Sequence, residues 1–168
     1  MFFTKRKAIL LFVICLIFFF LTYHDVKSSE ITSVTGYAKV TDGDTIKIDT
    51  FKIRLNGIDA PETKQLCKRP YLTIMMFTFY EDYSCGQKST ESLIKKINNQ
   101  KVTCKISGVD YFKRLIGECY KQKTNLNSWM VSNGHAVAFR KYSKKYVPQE
   151  ILAKQEKKGM WQGKFEMP

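Results

Sequence analysis

Five acids crowd into one short arc of a basic chain: Asp42, Asp44, Asp49, Asp59 and Glu62. The chain carries 28 Lys+Arg against 15 Asp+Glu, so this concentration runs against its overall charge. Asp42-Gly43 between apolar runs is the signature of a tight hairpin, and alone it asks for no chemistry. Asp44 and Asp59 change that reading. One lies at the hairpin and the other follows "RLNGI", so pairing of those strands lets both carboxylates converge on one hard cation. A cation that takes carboxylates, carbonyls and water is Ca²⁺ in character. Pro61 fixes the backbone after Asp59-Ala60, which holds the Ala60 carbonyl toward the same ion. Glu62 then lies near it as a free carboxylate, the right group for a general base. Asp42 is a supporting acid.

Two arginines complete the pattern. Ile53 and Leu55 share one strand face, so Arg54 points away from the apolar layer. Arg114 ends "DYFKR" at opposite phase to Leu115 and Cys119. A pair of guanidinium forks beside a hard cation makes a place for a phosphate. Either arginine taken singly reads better as a surface salt bridge to Asp49, Asp110 or Glu118.

These residues need elements to hold them. "GYAKV" (36–40), "TIKI" (45–48) and "FKIRLNGI" (51–58) predict three strands. "KVTCKI" (101–106) and "LIGECY" (115–120) predict an antiparallel pair around a loop, and "HAVAF" (135–139) a last strand. Helices are expected over 85–99, over 125–133 with Gly134 as cap, and over 148–158 with Gly159 past its end. Residues 63–84 read as an irregular stretch, basic and then aromatic. Early strands and late helices predict an α+β fold, a closed antiparallel barrel with helices on one side.

Residues 1–28 stand apart. Lys5, Arg6 and Lys7 precede an unbroken apolar run from Ala8 to Tyr23, which describes a secretory signal cleaved near Ser28 or a retained membrane anchor. Residues 29–35 read as a linker and 36–168 as the functional domain. The expected location is outside the cytoplasm: periplasmic, secreted or membrane-anchored. A net charge of +13 favours polyanionic partners.

Cys67, Cys85, Cys104 and Cys119 remain after Cys15 is set aside with the apolar run. An even count in an exported chain predicts two disulfides, and no C-x-x-C pair supports zinc. Strand phase turns Cys104 and Cys119 inward on neighbouring strands, leaving Cys67 to pair with Cys85.

"DGDTIKI", "IRLNGIDAPE", "DYFKR", "NSWMVSNGHAVAF" and "KKGMW", in this order, resemble the staphylococcal nuclease (thermonuclease) family over residues 36–162. The resemblance implies a five-stranded OB-fold barrel with three helices and Ca²⁺-dependent cleavage of DNA and RNA by a monomer. It implies metal ligation by Asp44, Asp59 and the Ala60 carbonyl, phosphate binding by Arg54 and Arg114, and general base catalysis by Glu62. Two departures stand out: Phe112-Lys113 replaces the family's Tyr-Gly, and the stretch after Glu62 is longer and more aromatic. "FRKYSKKY" (139–146) reads either as a surface for stacking single strands or as a solvated loop. Two other functions compete: a nucleic-acid-binding OB domain without catalysis, and a membrane-anchored structural or adhesion protein.

Overall fold

The computed structural model describes residues 31–168, which form one compact unit. The expected signal or anchor segment, residues 1–28, lies outside the described residues. Among the described residues no helix is long and apolar enough to cross a membrane.

Five strands close the barrel: β1 (Ser33–Asp42), β2 (Thr45–Ile48), β3 (Phe51–Leu55), β7 (Lys101–Val109) and β8 (Leu115–Lys121). They run in the order β3-β2-β1-β7-β8, and β8 returns to pair with β3. Four seams are antiparallel, while the closing one is parallel, with Ile53 opposite Leu115 and Leu55 opposite Gly117. This is the expected OB-type α+β barrel with three helices. Closure removes the open edges that a sheet of apolar strands would otherwise expose.

The linker assigned to residues 29–35 does not extend that far. Ser33–Thr35 already belong to β1, paired with Thr103–Lys105, because Val34 can turn into the core there. Strand alternation then fills the barrel: Ile46, Ile48, Ile53, Leu55 and Val102 are fully buried. Each such side chain contributes roughly 1.5–3 kcal/mol by leaving water. α1 (Cys85–Ile97) lays Leu93 and Ile97 on this core, and α2 (Leu126–Ser132) adds Leu126 and Met130. α3 (Val147–Gln155) starts with Pro148 in its first turn and buries Ala153. Gly134 follows α2 with a φ of +67°, the left-handed value expected for a helix-ending glycine. α3 stops at Gln155, short of the expected 158; Lys157 takes the left-handed position, and Gly159 (φ +54°) opens a 3-10 turn. A short β4 (Ile58–Asp59) pairs with β10 (Val137–Ala138), and β9 (Thr124–Asn125) extends β8.

The stretch read as irregular is a β-hairpin. β5 (Cys67–Ile74) and β6 (Phe77–Tyr83) pair with each other across a turn at Met75-Met76 and, among the described residues, join no other strand, apart from a single bridge from Lys68 to Lys164. The alternation is short, Leu72-Thr73-Ile74 and Phe77-Thr78-Phe79, it is broken by a register shift at Pro70, and the Met75-Met76 turn carries no Gly or Asn, so the sequence did not announce it. Cys67 is bonded to Cys85 and Cys104 to Cys119, the pairing read from strand phase. The first bond lies in a small cluster with Val137 and Met160, with Tyr83, Trp161 and Phe165 packed against it, and it anchors the hairpin's base.

Candidate active site

The turn between β1 and β2 brings Asp42, Gly43 and Asp44 to the barrel end. Asp42 accepts the Asp44 N–H at 3.1 Å, which ties the turn. Gly43 lies outside the left-handed region. Its necessity is spatial, since a Cβ there would meet the Ala60 Cβ at 2.6 Å and overlap the Ser89 hydroxyl of α1. Ser89 is itself fixed, donating to the His135 carbonyl at 2.7 Å. The hairpin is thereby pressed against α1, and Asp44 is carried into the interior at 4% exposure.

Arg54 joins the two acids predicted as metal ligands. Nη1 donates to Asp44 Oδ1 at 2.8 Å, and Nη2 donates to Asp59 Oδ1 at 2.5 Å. Asp44 also accepts the Thr45 hydroxyl at 2.9 Å and the Ala60 N–H at 3.1 Å. The structure thus brings Asp44, Asp59, Arg54 and Ala60 together, with the Ala60 amide rather than its carbonyl touching Asp44. Burial pushes the Asp44 carboxyl up to about 7; Arg54 pulls it back and Asp42 adds to the rise. The same two acids raise the Arg54 guanidinium against its own desolvation.

These groups open on a cleft of about 730 Å³. Arg54, Asp59, Glu62, Asp110, Arg114 and Phe112 line it; Asp44 stands behind Arg54 and does not. Glu62 is exposed, and its carboxylate has no hydrogen-bond partner among the described residues. Its backbone is held more firmly: the Glu62 carbonyl accepts from Gln65 at 2.7 Å and abuts Gly86, where no Cβ would fit. Arg114 donates through Nε to Asp110 at 2.7 Å and lies 5.4 Å from the Phe112 ring centre. Asp110 also accepts the Phe112 and Arg114 amides, both at 2.9 Å, and these bonds hold its carboxyl below the ordinary range despite partial desolvation. The salt bridge weighed for Arg114 is therefore present, and it orients the guanidinium within the cleft. Arg54 donates to Asp44 and Asp59 and not to Asp49, and Glu118 accepts from Lys145 at 2.5 Å.

Sequence reasoning missed several residues that hold this arrangement. Asn127 in α2 is fully buried; it accepts the Cys119 amide and donates to the Asn56 and Gly117 carbonyls, clamping the parallel seam. Glu150 in α3 accepts the Ala138 N–H at 2.9 Å and pairs with Arg140, steadying β10 beside Asp59. A buried Asn or Glu at a helical position gives no periodic signal. Phe139, Tyr142 and Tyr111 also border the cleft, so part of "FRKYSKKY" faces it.

Among the described residues no cluster of three or more His, Cys, Asp or Glu side chains gathers as a metal nest. The donor set nonetheless fits a hard cation. It consists of oxygen ligands, two carboxylates are drawn together by one fork, and the buried Asp44 charge is not fully offset by Arg54.

Fold and cleft define a small OB barrel whose one end gathers two guanidiniums and an exposed carboxylate. A family model, the staphylococcal nuclease homologue, matches residues 52–163, more than half of the chain, and the chain belongs to that family. It is 31% identical over 146 residues to the succinoglycan biosynthesis protein ExoI of Rhizobium meliloti (strain 1021), covering 85% of this chain and 71% of that protein. It is 31% identical over 130 residues to an uncharacterized endonuclease of Haemophilus influenzae (73% and 63%). A probable staphylococcal-like nuclease, CAN3 of Oryza sativa subsp. japonica, is 31% identical over 113 residues, and there the chain spans only 25% of its relative.

Proposed function

We propose that this chain is an exported, Ca²⁺-dependent nuclease that cleaves DNA and RNA with little sequence specificity. The observation that carries the reading is the single guanidinium of Arg54 bonded to both Asp44 and Asp59 at a cleft that Glu62 and Arg114 also line. Relatives named as nucleases support the activity. Two disulfides and the relative named for succinoglycan biosynthesis support an oxidising, envelope-side location.

Asp44, Asp59 and the Ala60 carbonyl would hold Ca²⁺, which supplies positive charge beside the scissile phosphate. Arg54 uses two of its nitrogens on the acids and keeps further N–H donors for phosphate oxygens. Arg114, oriented by Asp110, lines the same cleft. Together the arginines stabilise the charge that gathers as phosphorus becomes five-coordinate. Glu62, whose carboxylate has no partner among the described residues, accepts the proton of the attacking water. Contacts of this kind go to phosphate and carry no base information, hence the low sequence specificity.

The test is degradation of plasmid DNA and of RNA by the purified protein in Ca²⁺, and again with a chelator. Cleavage that stops on chelation is the expected result. Cleavage that persists would remove the metal from the mechanism, and tight binding without cleavage would make the chain a non-catalytic nucleic-acid binder.

A further inference from the structure

The β5–β6 hairpin has no role in the cleft, and its chemistry changes sharply along its length. At the base, Lys68 pairs with Asp82 at 3.1 Å and Arg69 with Glu81 at 2.6 Å. Beyond them, the ten residues from Tyr71 to Tyr80 carry no charge. Cross-strand pairing sets Leu72 opposite Phe79 and Ile74 opposite Phe77. Thr73 and Thr78 occupy the opposite face, with their hydroxyls 3.3 Å apart. The tip is more exposed still: Met75 is 92%, Met76 91% and Phe77 70% accessible. So continuous an apolar exposure is uncommon on a folded chain and marks an interaction surface.

We infer that this hairpin is a finger that inserts its tip into the apolar margin of an anionic lipid bilayer. Three observations favour lipid over another occupant. First, a ring of amphipathic groups separates tip from base. Tyr71 and Tyr80 stand where the charge-free part begins, and the Lys164 ammonium lies 4.6 Å from the Tyr80 ring centre. Tyrosine and lysine at such a level match the polar boundary of a membrane. Second, the dimensions fit. Five extended residues from Tyr71 to the tip reach about 15 Å, enough to bury apolar groups about 5–10 Å below the headgroups. Third, the strand edges discourage a protein partner adding to the sheet. Pro70 lacks an amide donor, and the register shifts between Pro70 and Leu72. The chain's net charge of +13 draws it to an anionic surface. This inference is independent of the nuclease reading.

The experiment uses the full chain, reconstituted with vesicles of phosphatidylcholine and phosphatidylglycerol that contain bromine-labelled acyl chains. The Phe77→Trp variant is compared with the unsubstituted protein, whose native Trp129 and Trp161 supply the background. The finger predicts a blue-shifted emission in the variant, quenched by bromine near the headgroups and reduced when phosphatidylglycerol is omitted. A second variant, Phe77→Trp with Met75→Asp and Met76→Asp, should lose insertion by at least about a hundredfold. Folding of both is checked by intact disulfides and an unchanged melting temperature. Quenching no greater than the background would overturn the inference. So would a blue shift that arises without lipid and grows with protein concentration, because the finger would then bury itself against a second copy.

Discussion

Two hairpins in this molecule meet opposite fates. The β1–β2 turn at Asp42-Gly43 is pressed between Ala60 and Ser89, and its strands feed the barrel core. The β5–β6 turn at Met75-Met76 touches nothing of the barrel, and its apolar residues face outward. The local device is the same, two antiparallel strands and a tight turn. The difference lies in whether a second layer is available to cover a face. α1 and the strands of the barrel supply that layer for the first hairpin, and among the described residues no element supplies it for the tip of the second. Buried, a hairpin becomes a rigid support for acids; uncovered, it becomes a surface waiting for another phase.

The contrast can be broken most severely at Arg54. Arg54→Ala should slow nucleic-acid cleavage about 10²–10³-fold. It should also lower stability by about 2–3 kcal/mol, since buried Asp44 loses its cationic partner. Glu62→Gln should slow cleavage comparably while leaving the denaturant midpoint unmoved, because the carboxylate supports no fold contact. Equal loss of stability in both variants would dissolve the distinction between holding and reacting groups.

Gly43→Ala tests the buried turn directly. Crowding against Ala60 and Ser89 should destabilise the chain by about 1–3 kcal/mol in a chemical melt. A neutral result would mean that the turn is not pressed against α1 at all.

Next in size is an acid sensitivity on the same side of the barrel. Burial, reinforced by Lys88, holds the His135 imidazole down to about 4 from its ordinary 6.5. A depressed native value means that the unfolded chain binds the proton more readily. Stability is therefore full above pH 6.5 and declines as pH falls toward 4. His135→Gln should flatten that part of a stability-versus-pH curve; an unchanged slope would assign it to other groups.

The smallest effect belongs to the free hairpin. Met75 holds φ at +54°, strained for a residue with a side chain. Met75→Gly should raise stability by up to about 1 kcal/mol in a chemical melt. Loss of stability there would show that the tip is supported after all.

The same contrast explains what could be read from residues alone. Barrel strands were legible because one face is covered, which writes an alternation such as Ile53, Arg54, Leu55 into the sequence. The meeting of Asp44 with Asp59 followed from pairing β2 with β3, where Thr45 lies opposite Arg54. Cys104 and Cys119 followed from the same phase rule. The β5–β6 hairpin was hidden because neither face has a core to answer to. Asn127 and Glu150 were hidden for a different reason: their work is to satisfy backbone groups far away in sequence, and no local pattern encodes distance. Gly43 was legible as the residue that lets the chain reverse, but not as the one that leaves room for α1, because Ser89 is distant in sequence.

The Cα atoms of Cys67 and Cys85 stand 5.5 Å apart. Everything between them leaves the barrel and comes back to one spot, so the finger is a side excursion of the chain and not a member of the frame. Its length, sequence and chemistry can drift, or be exchanged for another module, while Glu62 before it and α1 after it keep their places. A protein built this way can change where it resides without changing what its cleft does.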